Sequence, residues 1–147
     1  MDKTTAETRS VVVEREFAHP PEKIWRALTQ PHLIEEWLMK NNFSPAVGHR
    51  FNLRSSPRPD INITLDCQVL EVDPPKTLSY TWNHAHPDAS YNLRSVVTFT
   101  LTPTPTGTRL RMEQVGFRPE QKQAYGGARA GWQHFFGRLE HVLGHGA

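Results

Sequence analysis

EREFAHPPEKIWRALTQPHLIEEW, residues 14–37, is the stretch that decides the fold. The β-type run that feeds it, SVVVEREF from Ser10, ends at Phe17. Pro20 and Pro21 then suit the first turn of a helix, where a missing N–H costs nothing. Glu22 complements the positive end of that helix's dipole. Ile24, Trp25 and Leu28 form its apolar stripe. Thr29-Gln30-Pro31 stops this helix and starts a second one, with Leu33, Ile34, Trp37 and Leu38 as the buried face. A strand followed at once by two short amphipathic helices is an uncommon order, and it restricts the architecture more than it restricts the chemistry.

Outward from this point the pattern is mostly β. His49–Leu53 reads as a short strand, and Ser55–Asp60 (SSPRPD) as a turn or loop tip. Ile61–Val72 alternates, with Ile63, Leu65, Cys67 and Val69 on one face. Asp73-Pro74-Pro75-Lys76 is a turn, and Thr77–Asn83 a strand with Leu78, Tyr80 and Trp82 together. A loop from His84 to Ala89 leads to a strand at Leu93–Thr102, a hairpin at Pro103–Gly107 and a strand at Thr108–Val115. From Pro119 to Leu143 the period becomes helical, and Trp132, Phe135, Phe136, Leu139, Val142 and Leu143 share a face. Gly126-Gly127 is expected to bend or interrupt that helix, and Gly144 to end it. The reading is an α+β fold: β-α-α, about five antiparallel strands, then a long C-terminal helix. A sheet with one apolar face needs a cover. Only the aromatic helix is long enough, so a curved sheet wrapped around it is expected.

The 147 residues suit one domain, expected over 10–147 with a flexible segment at 1–9. Lys plus Arg number 17 and Asp plus Glu 15, a net charge of +2 with no dense basic stripe, which argues against nucleic acid. The single Cys67 leaves no internal disulfide and fits a reducing compartment. The N-terminus lacks the apolar core of a signal peptide, and no apolar run approaches a membrane span. A cytoplasmic location is the expectation.

Four segments carry a resemblance: HPPEKIWRALTQPHLIEEW at 19–37, QVLEVDPPKTLSYTW at 68–82, VTFTLTPTPTGTRLRMEQVGF at 97–117, and GWQHFFGRLEHVL at 131–143. Their order resembles the START-like, or Bet v 1-like, superfamily (SRPBCC) with its helix-grip fold, and within it the branch related to the activator of the heat-shock protein 90 ATPase. The resemblance implies an apolar pocket between sheet and C-terminal helix. Other branches bind lipids, sterols or hormones, or act as aromatase/cyclases. The chaperone activator resembles this chain through one of its two domains only. Fold-level likeness does not choose among these functions.

Candidate ligand-binding residues follow from the inner face: Trp37, Tyr80, Trp82, Phe99, Met112, Trp132 and Phe136 as apolar lining, with His84 and Gln114 as polar groups in register with it. Ser95 shares that register. The plainer reading of the polar set is strand ends meeting water, and of the apolar set, ordinary core. Within the pair of helices, Trp25 reads as packing and Trp37 as the closer approach to a ligand. His84-Ala85-His86 and His141…His145 are the suggestive histidine spacings, but no third ligand is fixed, so neither a metal nor another cofactor is expected. Cys67 sits mid-strand on the apolar face and reads as a small hydrophobe rather than a nucleophile. Glu35-Glu36 on a helix diverge by about 100° and read as a solvated face. Three functions compete. The first, favoured, is a binding module for a small hydrophobic molecule. The second is a cyclase- or hydrolase-like enzyme with His84 or Tyr80 moving a proton. The third is an interaction domain with a chaperone as partner. Monomer and homodimer both remain open.

Overall fold

The computed structural model describes residues 8–145, apart from the side chains of Pro57 and Arg58. The flexible segment expected at 1–9 falls mostly outside the described residues. The elements are β1 (Arg9–Phe17), α1 (Pro21–Thr29), α2 (Pro31–Trp37), β2 (Lys40–Asn41), β3 (Arg50–Arg58), β4 (Ile61–Asp73), β5 (Thr77–His84), β6 (Leu93–Thr104), β7 (Gly107–Phe117) and α3 (Lys122–Gly144). They form an α+β fold with one antiparallel sheet in the order β1-β7-β6-β5-β4-β3-β2. The helices α1 and α2 pack on each other and on α3.

The break between α1 and α2 has a local cause. Pro31 forces Gln30 out of the helical region, to φ −95° and ψ 122°, so Gln30 caps the end of one helix and the start of the next. Pro31 has no N–H, so the carbonyl of Ala27, four residues back, loses its helical donor. The indole of Trp37 replaces it, with Nε1 donating to the Ala27 oxygen at 2.8 Å in a buried bond. The two helices are thus tied by the same proline that separates them.

Alternation along the strands sends Val11, Val13, Leu65, Cys67, Val69, Tyr80, Trp82, Val97, Phe99, Leu101, Leu110 and Met112 to the buried face. Register sets them in rows: Tyr80 beside Val97, Val97 beside Gln114, Phe99 beside Met112, Leu101 beside Leu110. Near its end β7 turns at Gly116, where φ is +118° and a Cβ would lie 2.6 Å from the Arg94 carbonyl. Only glycine fits there.

Three features differ from the sequence expectation. Six strands follow the helices rather than five, because a two-residue β2 pairs with β3 at Leu53 and Arg54. The segment SSPRPD is not all turn: β3 runs to Arg58 and the reversal is confined to Pro59 and Asp60. Beyond Arg54, β3 is an edge strand with a register shift between Ser55 and Arg58, the setting in which a strand tolerates proline. Gly126-Gly127 does not interrupt α3, which is continuous for 23 residues. A glycine costs a helix about 1 kcal/mol against alanine. The buried aromatic face of α3 outweighs that. As expected, α3 ends at Gly144; His145 is its cap, and the His141 and His145 rings lie 4.1 Å apart.

Candidate functional site

A cavity of about 300 Å³ opens between the first half of α3 and the concave face of the sheet. Its helical wall is small by composition. Ala124, Gly127, Ala128 and Gly131 recur at the spacing of one helical face, and all four line the space. The opposite wall is Ile63 and Leu65 on β4, Trp82 on β5 and Leu93 on β6. Trp132 and Phe135 add an aromatic wall, edge to face at 5.4 Å, and Trp82 tilts against Trp132 at 5.2 Å. Met39, His84, Tyr91 and Gln123 complete the lining.

One chain of hydrogen bonds crosses the apolar wall. The indole Nε1 of Trp132 donates to Gln114 Oε1 at 2.8 Å. Gln114 Nε2 donates to Ser95 Oγ at 2.9 Å, and Ser95 Oγ donates to the Trp82 carbonyl at 2.6 Å. An indole N–H is only a donor, so it fixes which end of the Gln114 amide is oxygen. Gln114 is 1% exposed and Ser95 5%, so these groups are not strand ends meeting water. They are a buried, ordered link between three strands and α3.

The mouth is built by the loop before β6. Ser90 reaches the start of α3, where helix N–H groups lack partners: its carbonyl accepts from Ala124 N at 3.1 Å and its Oγ from Gln123 N at 3.2 Å. Gln121 ties the same point, donating to the Asn92 carbonyl and accepting from Arg118 N at 2.7 Å. His84 Nδ1 meets the Tyr91 carbonyl at 3.1 Å. A carbonyl only accepts, so Nδ1 carries the proton and Nε2 of the neutral ring is an acceptor.

Of the nine residues expected to bind a ligand, Trp82, His84, Gln114 and Trp132 line the cavity. The other five stand outside the lining. Trp37 pins α2 to α1, and its ring lies 6.3 Å from Phe99. Phe99 backs Trp132 at 5.8 Å, Phe136 packs on Phe17 at 6.0 Å, and Met112 is fully buried beneath α3. Tyr80 sits among Phe43, Phe51 and Phe99, and burial drives its phenol well above the ordinary range. The lining that sequence reading missed is the small stripe of α3 together with Met39, Ile63, Leu65, Tyr91, Leu93, Gln123 and Phe135. The signal for the stripe was present: small residues at i, i+3, i+4 and i+7 just before an aromatic face leave unfilled space.

Burial pushes the Cys67 thiol up to about 12, the state of a buried hydrophobe rather than a nucleophile. Among the described residues no group of three or more His, Cys, Asp or Glu could hold a metal ion. No helix among them is long and apolar enough to cross a membrane. A larger cleft, about 630 Å³, lies on the outward side of β3–β6. It is lined mainly by Arg50, Asn52, Asp66, Asn83 and Arg94, a polar surface of mixed sign.

A curved antiparallel sheet, two helices after its first strand and a long helix lying in its grip define a member of the START-like (SRPBCC) superfamily. Residues 18–144 match the family described as activator of Hsp90 ATPase homolog 1-like protein, and the chain belongs to that family. The crystal structure of protein MLL2253 from Mesorhizobium loti is similar at 68% identity and a TM-score of 0.89, covering 95% of this chain and 99% of that one. Protein NE0264 from Nitrosomonas europaea shares the fold at 23% identity and a TM-score of 0.79, covering 92% and 94%. The solution structure of protein BH1534 from Bacillus halodurans is similar at 26% identity and a TM-score of 0.72, covering 92% and 96%. No functionally curated protein matches the chain.

Proposed function

We propose that this protein binds a small hydrophobic molecule in the cavity beneath α3. The observation that carries the reading is the apolar space walled by Trp82, Trp132, Phe135 and the small stripe of α3. Its volume lies at the low end of small-molecule sites, roughly 300–1,000 Å³. At about 30 Å³ per water it would hold on the order of ten waters, room for a compact ligand of one or two rings. The wall offers few polar groups, Gln114 within and His84, Tyr91 and Gln123 toward the mouth, which suits orientation of a ligand better than bond-making chemistry. The lone thiol is consistent with a cytoplasmic protein.

The test is direct. Native mass spectrometry of freshly purified protein should reveal a carried-over adduct, or a library of small aromatic and aliphatic compounds should raise the melting temperature. A clean mass together with no shift across the library would end this reading. The family also supports a second one, in which the domain acts on a chaperone. Stimulation of a cognate chaperone's ATPase by the purified protein would favour it, and no effect would count against it.

A further inference from the structure

We infer that the ligand of this cavity is an uncharged molecule whose oxygen accepts the second amide proton of Gln114, so that Gln114 sets specificity. This inference rests on the binding reading above and adds the chemical class. The reasoning is an inventory of the amide. Oε1 is held by Trp132, and one Nε2 proton is held by Ser95 Oγ. The other Nε2 proton has no partner among the described residues, although the side chain is 1% exposed and borders the cavity. The amide cannot flip to hide it, because the Trp132 N–H accepts nothing. Ser95 cannot take it either, since the two protons on Nε2 point apart in the amide plane and only one of them can be aimed at the Ser95 oxygen. A fixed, buried donor is therefore left on a side chain that borders a space whose remaining inner wall is hydrocarbon and indole.

Such a donor discriminates strongly. A ligand without an acceptor leaves it unsatisfied after the water is gone, whereas a ketone, quinone, ether or hydroxyl oxygen completes it. Charge is disfavoured at the same depth, since among the described residues no Lys or Arg lines the cavity to offset the desolvation of a carboxylate. At the mouth His84 Nε2 is an acceptor, so a second, donating hydroxyl at the far end of the ligand finds a partner there.

The experiment uses three matched probes on the full chain: 2-acetonaphthone, its hydrocarbon isostere 2-isopropenylnaphthalene, and 2-naphthoate. Affinities come from calorimetry, and nitrogen–proton NMR follows the Gln114 side-chain amide and the Trp132 indole. The hydrocarbon is the greasier molecule, so burial alone ranks it first. The inference requires the ketone to bind tighter by about fivefold or more, the naphthoate to bind weakest, and the Gln114 amide protons to shift with the ketone only. Gln114→Met, which keeps length and loses the amide, should erase the ketone's advantage while the hydrocarbon still binds. The wild-type comparison decides the matter even where that variant folds poorly. If the hydrocarbon binds as well as or better than the ketone, the role of Gln114 is overturned and the apolar cavity stands. If no probe binds and no resonance around Trp82 and Trp132 moves, the binding reading itself has failed.

Discussion

Single residues in this protein carry tasks that neighbouring chemistry assigns. Trp37 is the clearest. Its ring is buried, and its N–H replaces the donor that Pro31 lacks. Trp37→Phe keeps most of the apolar contact and strands the Ala27 carbonyl, so it should cost about 1–3 kcal/mol in urea unfolding with the slope unchanged. A loss below about 0.5 kcal/mol would mean that the carbonyl finds another donor. Cys67 makes a prediction about pH. Its folded value, about 12, lies above the ordinary 9.0 because burial disfavours the thiolate. The unfolded chain therefore loses this proton first. The contribution is complete below pH 9 and is lost as pH rises from 9 toward 12. Tyr80, raised for the same reason, adds to the loss at pH values above 10.0. Cys67→Ala should flatten the decline in stability that begins near pH 9, which urea titrations at stepped pH will measure.

At the scale of elements, α3 is two helices in one. Its second half is an aromatic and aliphatic ridge that fills the grip. Its first half is a smooth face that does not. A Cβ at Gly126 or Gly127 would meet nothing within 4 Å. Gly126→Ala should therefore stabilise the protein by about 0.5–1 kcal/mol, raising the melting temperature by about 2–4 °C in calorimetry. Gly127 lines the cavity, so Gly127→Leu should fold and weaken binding of a cavity probe by tenfold or more. Unchanged affinity would place the bound probe elsewhere. The hairpin between β6 and β7 is held by a separate device. Glu16 at the end of β1 accepts from Thr104 Oγ1 at 2.7 Å and Thr106 Oγ1 at 2.6 Å, and these bonds hold its carboxyl below the usual range.

For the whole molecule, the sheet and α3 border a volume that neither element defines alone. A ligand that enters it binds the folded state and not the unfolded chain, so it must stabilise the fold by mass action. At a hundred times its dissociation constant the gain is about 2.7 kcal/mol, a rise in melting temperature of roughly 5–10 °C. A thermal shift that saturates with ligand concentration, and disappears in Gly127→Leu, is the expected result.

The order of elements was readable in the sequence because each signal is local. A proline pair opens a helix, alternation marks a strand, and a ridge of aromatics marks the face that must be covered. Where that reading erred, tertiary context overrode a local rule. Pro57 lies on a strand because that strand is an edge, and Gly126-Gly127 stays helical because the rest of α3 is anchored. The residues that face the cavity were half legible. Trp82, His84, Gln114 and Trp132 followed from register and helical period, whereas Trp37, Tyr80, Phe99, Met112 and Phe136 have the same pattern and are packed outside the lining. Pattern tells which side of an element is buried, and it does not tell whether the space opposite is filled. By itself, then, the sequence determined the architecture, through periodicities that span only a few residues. The cavity, and the Gln114 amide proton left without a partner among the described residues, were decided by tertiary structure alone. Both depend on partners far apart in the chain, Ser95 and Trp132 on either side of Gln114, and on how much volume remains once those distant elements have packed.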